Sequence, residues 1–303
     1  MWHDYPMLYK ACAKCKGQKL NSQNELEYVK LLMHNFSTSK NPAGINTSVH
    51  MLNEYLWNKA DRPYYDLYPS VATAFTKVDL NKVTCKQLEL PLPQLLIRFQ
   101  KGKELTIGKS EVRSIFVAMS KSKEDLTTRG LLVAIDDGLV DKGNDPDGFP
   151  IPVHTLNCIT LPDDETIEQR LEFGRANPYC EDTVDNDMVT ACYRLVVAIC
   201  LLRDNPDLIE PEPLEADRKK WEETHDPKLL EKAAKRGKRC WSIGKHIEVA
   251  PHFRTPHFAI RWMGKGILQP VLRPIKGSVV RRKVIEEVPT DWLGEEAPEA
   301  VNV

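Results

Sequence analysis

The chain has 303 residues, 42% hydrophobic and 28% charged, enough to bury one large core or two moderate ones. Its formal net charge of -1 excludes polyanion binding by bulk charge, and eight cysteines in so long a chain argue for reduced thiols rather than a disulfide framework. The longest apolar run, 195–202, is too short to cross a bilayer, and residues 1–6 show no basic segment leading an apolar core, so a cytoplasmic protein without a membrane partner is expected.

Residues 1–85 are expected to be helical. Over 24–36, Leu26, Val29, Leu32, Met33 and Phe36 recur at helical spacing. Ser48 is placed to cap a helix carrying Met51, Leu52, Tyr55 and Leu56, and a further helix is expected over 66–75, interrupted or started by Pro69. Residues 86–205 read as an α+β core. Strands are expected at 95–99, 112–119, 131–135 and 152–160, with Pro91 and Pro93 implying an edge strand or an irregular lead-in. The run 141–148, rich in Asp, Asn and Gly, lacks the acidic spacing and closing Glu of a calcium loop and reads as a hairpin turn. Helices return at 166–173 and at 183–203, where Val184, Met188, Cys192, Leu195, Ile199 and Leu202 form a stripe widened by Ala191, Val196, Val197 and Cys200, as in a buried core helix.

Residues 206–240 read as a proline-rich linker followed by basic helices, 241–290 as a basic β-rich region and 291–303 as an acidic tail. The fold class is therefore α+β: a helical N-terminal part, a central mixed sheet with a buried helix, and a basic β-rich C-terminal part. Charge is distributed unevenly. Fifteen Asp and Glu face four Arg over 161–217, whereas eighteen Lys and Arg face five Asp and Glu over 218–283, which points to a basic functional patch unless the two blocks neutralise each other.

Cys12 and Cys15 form half of a zinc knuckle without a second pair, so two unliganded thiols are expected, and no metal or cofactor is assigned. No phosphate-binding loop, dinucleotide fingerprint, GxSxG or HExxH motif occurs. The chemistry-bearing residues concentrate between 241 and 283. His252 and His257 have the side-chain type for general acid and base work near neutral pH. Arg254, Arg261, Lys265, Arg273 and Lys276 are suited to holding phosphate, and Trp241 and Trp262 to stacking on bases. A base for a 2′-hydroxyl, an acid for the leaving oxygen and cations for the phosphate suffice for metal-free RNA cleavage. The expectation is a nucleic-acid-acting protein, with RNA before DNA as partner, such as a metal-independent ribonuclease or other phosphate-handling hydrolase. The alternative is a non-catalytic module binding nucleic acid or protein through the same face.

The segments Lys235-Arg236-Gly237-Lys238, Trp241-Ser242-Ile243-Gly244, Pro251-His252-Phe253-Arg254-Thr255-Pro256-His257, Trp262-Met263-Gly264-Lys265-Gly266 and Lys276-Gly277-Ser278-Val279-Val280 resemble the C-terminal signature of uncharacterised bacterial and phage-associated proteins. Leu90-Pro91-Leu92-Pro93 is similar to an apolar segment of the same group. The resemblance covers about a fifth of the chain and implies a shared site at His252, Arg254, His257 and Arg261 without assigning a reaction; the nucleic-acid-acting protein itself is expected to belong to a mobile-element or toxin-like system.

Overall fold

The computed structural model describes residues 1–38, 43–121, 129–141, 151–175, 186–202, 208–237, 239–245, 257–263 and 269–275. Three helices come first: α1 (Leu8–Cys15), α2 (Glu25–Ser37) and α3 (Ala43–Lys59). Then come β1 (Tyr64–Leu67), α4 (Pro69–Phe75), β2 (Gln94–Phe99), the small hairpin β3 (Leu105–Ile107) and β4 (Ser110–Val112), and the long strands β5 (Ser114–Lys121), β6 (Arg129–Asp141) and β7 (Ile151–Leu161). After them lie α5 (Ile167–Arg175), α6 (Asn186–Leu202), β8 (Ile209–Pro211), α7 (Arg218–Thr224), α8 (Pro227–Lys235), β9 (Cys240–Ile243), β10 (His257–Met263) and β11 (Gln269–Ile275).

Seven strands form one mixed sheet in the order β7-β6-β5-β2-β1-β9-β8. The short β1 runs parallel to both of its neighbours, and the other pairings are antiparallel. Period-two alternation gives the sheet two buried faces. Tyr65, Ile97, Ile115, Val117, Leu131 and Val133 face one core with Val71 and Phe75 of α4, Ile167 of α5 and most of α6. Tyr64, Leu96, Phe116, Ala118, Leu132 and Ala134 face the other, with Tyr9, Val29, Met51 and Trp57 of the N-terminal helices. The molecule is thus α+β, with helices on both sides of the sheet.

α6 is buried nearly all round because it is covered twice. The sheet lies on one side, and the hairpin β10–β11 packs across the other, with Leu272 fully buried and Phe258 edge-on to Phe75 at 4.9 Å. This agrees with a core helix over 183–203.

Three local expectations are corrected. Ser48 does not cap a helix: α3 starts at Ala43, and the Ser48 hydroxyl lies inside it, donating to the Gly44 carbonyl at 2.8 Å. The helix expected over 66–75 begins only at Pro69, which occupies its first turn. A residue preceding proline is pushed towards extended backbone, and Asp66 and Leu67 belong to β1. Pro91 and Pro93 do not mark an edge strand. β2 starts after them and lies between β5 and β1, so only the irregular lead-in survives. The turn at 142–148 and the tail at 291–303 lie outside the described residues.

Candidate nucleic-acid interface

Two basic surfaces meet beside the end of α3. The first is an open cleft of about 490 Å³ between α1, α2 and α3, lined among others by Lys10, Lys14, Glu25, Asn58, Lys59 and Arg62. Lys10 and Lys14 share a face of α1 by their four-residue spacing. Asn58 draws two cations together, its Oδ1 accepting from Lys10 Nζ at 3.2 Å and from Arg62 Nε at 2.8 Å. Partial burial, then the nearby Arg62 charge, lower the Lys10 ammonium from its ordinary value. The acid within this cleft is Glu25. Burial would raise its carboxyl, but hydrogen bonds from Lys59 at 2.6 Å and Tyr9 at 2.9 Å outweigh this and hold it below the usual range.

Arg62 reaches the cleft from a tight turn. Asp61 and Arg62 both take left-handed backbone, with φ of 64° and 50°, a conformation costing non-glycine residues about 1–2 kcal/mol each. The turn is held by the Arg62 amide donating to the Trp57 carbonyl at 3.1 Å and the Trp57 indole donating to the Pro63 carbonyl at 2.8 Å.

The second surface is α8. Asp226 caps it, accepting from the Lys228 amide at 3.0 Å, with Pro227 in its first turn. Leu229 and Ala233 are buried, while Lys228, Lys232, Lys235 and Arg236 line an outer groove with Glu231. The α3 turn joins the two surfaces. Arg236 pairs with Asp61, and the Arg239 guanidinium donates to the Ala60 carbonyl. Lys59, Lys232 and Arg236 already hold carboxylates, whereas Lys14, Lys228 and Lys235 form no ion pair among the described residues.

The residues singled out from the sequence lie elsewhere. His252, Arg254, Lys265 and Lys276 fall outside the described residues. His257 opens β10, paired in register with Ile275. Arg261 is exposed on the same strand. The register Ala259↔Arg273 and Arg261↔Val271 puts both arginines on one face of the hairpin. Arg273 approaches Met263 Sδ at 3.8 Å. Trp262 is on the opposite face, 36% exposed. Trp241 is half-buried in β9, stacked on Tyr65 at 5.0 Å and packed against the core. The block 218–283 is not one surface among the described residues: α8 inserts Ala233 into the core beside the N-terminal helices, whereas β10 and β11 cover α6 on the other side of the sheet.

A third charged group is structural. Asp66 of β1 accepts from Arg98 Nε at 2.7 Å and Arg218 Nη2 at 2.8 Å, Arg98 also meets Glu215 at 2.9 Å, and the Arg98 guanidinium lies 3.8 Å over the Tyr64 ring. Its positive and negative charges balance, which suits a buried joint better than an anion site.

Sequence reasoning missed the cleft. The four-residue spacing of Lys10 and Lys14 was visible, but only folding brings them to Lys59 and Arg62. It also missed the donor atoms of His50, Glu54 and His154, which the fold gathers within 4.8 Å of one another. The spacing of His50 and Glu54, one helical turn apart, was the available signal.

No known protein family and no curated protein matches the chain. Among solved structures, the crystal structure of AcrVA2 aligns over 91% of this chain and 93% of its own, at 14% identity and a TM-score of 0.48. At that distance the likeness carries no inference about function.

Proposed function

We propose that the protein binds nucleic acid along the surface running from the α1–α3 cleft to the outer face of α8. One observation carries this reading: the Asp61–Arg236 pair links the turn after α3, which carries Arg62 into the cleft, to the α8 groove, so the two basic surfaces adjoin. Lys14, Arg62, Lys228 and Lys235 are the cations available to phosphates, since Lys10, Lys59, Lys232 and Arg236 are engaged by carboxylates. Four phosphate contacts give a slope of log affinity against log salt of about -3 for a single strand. The test is fluorescence anisotropy with labelled single-stranded RNA and DNA across a salt series. Replacing Lys14, Lys228 and Lys235 together by Ala is expected to flatten the slope by about 2. Salt-independent binding, or an unchanged slope in the triple variant, would refute the reading. RNA is the favoured ligand, and equal affinity for both strands would remove that preference.

A second reading is favoured by the β10–β11 register. His257 opens the strand that carries Arg261, and its partner Ile275 lies two residues from Arg273. In this reading His252 and His257 act as acid and base in metal-independent RNA cleavage, with Arg254, Arg261, Lys265, Arg273 and Lys276 holding phosphate. Each His→Ala change is then expected to lower cleavage on the order of 10²–10⁴-fold while leaving RNA affinity near that of the parent. Retained cleavage in both variants would end it.

A further inference from the structure

The most unusual buried chemistry lies far from the basic track. Tyr5, His50, Glu54 and His154 come from the N-terminal segment, α3 and the edge strand β7, and all four are buried, His50 and Glu54 completely. Their donor atoms converge. His50 Nε2 lies 2.9 Å from Glu54 Oε1 and 2.9 Å from Tyr5 Oη, and Tyr5 Oη lies 3.3 Å from His154 Nδ1. The ligand atoms of His50, Glu54 and His154 all fall within 4.8 Å of one another.

The shorter of these separations are close to those of a coordination shell. Two ligands bonded at 2.0–2.2 Å to one tetrahedral ion stand about 3.4 Å apart. The Tyr5, His50 and Glu54 contacts need side-chain shifts of a few tenths of an ångström to reach such a shell, and the widest pair, up to 4.8 Å apart, must close by about 1.4 Å through rotation of a side chain. The donor set is two imidazole nitrogens, a carboxylate and a phenol oxygen, with no sulfur, which suits a borderline divalent ion.

The surroundings support it in two ways. Both Glu54 oxygens are fixed from behind: the Leu8 amide donates to Oε1 at 3.0 Å and the Tyr9 amide to Oε2 at 3.3 Å, an outer shell of the kind that orients a metal-binding carboxylate. Phe116 and Trp57 close the site with aromatic faces.

We infer that Tyr5, His50, Glu54 and His154 form a closed structural zinc site that pins the N-terminal segment and α3 to the edge of the sheet. No position is open to solvent, so the ion would support folding rather than chemistry. The inference is independent of nucleic-acid binding.

The test starts with the unaltered chain, purified without a histidine tag and analysed for metals by mass spectrometry. One zinc per chain is expected. Protein unfolded with chelator and refolded with Co²⁺ is expected to show visible ligand-field bands without the near-ultraviolet band of thiolate ligation. Less than stoichiometric metal, both as purified and after refolding with Zn²⁺, would overturn the inference, as would a thiolate band. Two variants locate the ion: His154→Gln is expected to lose zinc, and the double change Cys12→Ser/Cys15→Ser to keep it. The opposite pattern places the metal at the cysteines and refutes the site. Tyr5→Phe preserves the ring packing, so folding survives, and zinc affinity in chelator competition is expected to fall on the order of tenfold or more. Unchanged affinity in that variant overturns the four-ligand site.

Discussion

Changing Asp66 to Asn keeps the shape of a side chain at the centre of the sheet and removes its charge. Asp66 is 1% exposed and is the shared acceptor of Arg98 and Arg218. Without its charge, Arg98, whose side chain is 4% exposed, keeps only Glu215 among the described residues, and Arg218 keeps only Glu222 among them, at 3.6 Å and mostly in solvent. Removing one partner of a buried ion pair costs about 3–5 kcal/mol because the other charge stays in a medium that solvates it poorly. At about 2–4 °C per kcal/mol, Asp66→Asn is expected to lower the melting temperature by about 6–20 °C. Calorimetry and urea unfolding measure both quantities. The cause is isolated by Asp66→Asn/Arg98→Met, in which the uncompensated charge is gone and the long side chain still covers Tyr64. The double variant is expected to recover at least half of the loss. A loss below about 0.5 kcal/mol in the single variant, the size of an ordinary surface change, would refute the reasoning. So would a double variant less stable than the sum of its parts.

Other outcomes follow from particular contacts. Gly244 has φ of 81°, and a Cβ there would lie 2.3 Å from Val71 Cγ2, so Gly244→Ala is expected to cost about 2–4 kcal/mol from backbone strain and overpacking. Adding Val71→Ala should relieve only the clash, and an equally stable Gly244→Ala protein in urea titration would contradict this geometry. Leu272→Ala is expected to lose about 2–5 kcal/mol and expose α6 to hydrogen exchange, whereas unchanged exchange would mean that β11 does not cover that helix. A 2.5 Å hydrogen bond from His3 holds the Glu104 carboxyl at about 2, down from 4.5. With the folded value depressed, this contact stabilises above pH 4.5 and is lost as pH falls towards 2. Glu104→Gln should flatten the stability profile in that window, and an unchanged acid limb would count against the contact. Burial pushes the Cys85 and Cys240 thiols up to about 11 and about 12. Both are expected to resist alkylation of the folded protein at pH 8 while Cys12 and Cys15 react, as peptide mapping would show.

Much of the fold was legible where one physical signal dominated. Helical spacing over 24–36 found α2, the wide apolar stripe found α6, strand-length apolar runs found β5 and β6, and alternation over 152–160 found β7. β1 was not legible. Tyr64, Tyr65, Asp66 and Leu67 are all buried, so nothing alternates, and a charged residue in the middle argues against a core strand until Arg98 and Arg218 are seen beside it. Ser48 read as a cap because α3 begins five residues before it, and one hydroxyl fits either place. The net charge of 218–283 was correct as a sum but carried no information on direction, so α8 and the β10–β11 hairpin, on opposite sides of the sheet, looked like one patch. The cleft was hidden because its cations come from positions 10, 14, 59 and 62, and no window on the sequence holds them together.

The parallel pairing of β1 with β9 also orders events in time. β1 is complete when residue 67 has been synthesised, and β2 can join it soon after, but β9 arrives only at residues 240–243. Until then one long side of β1 has no hydrogen-bonding partner, and the Asp66 carboxylate waits for Arg218. A nascent chain therefore carries an open, apolar strand edge through most of its translation, the kind of edge that recruits other chains or chaperones. Chains arrested before residue 240 are expected to aggregate or bind chaperones, and release should coincide with the emergence of β9 from the ribosome.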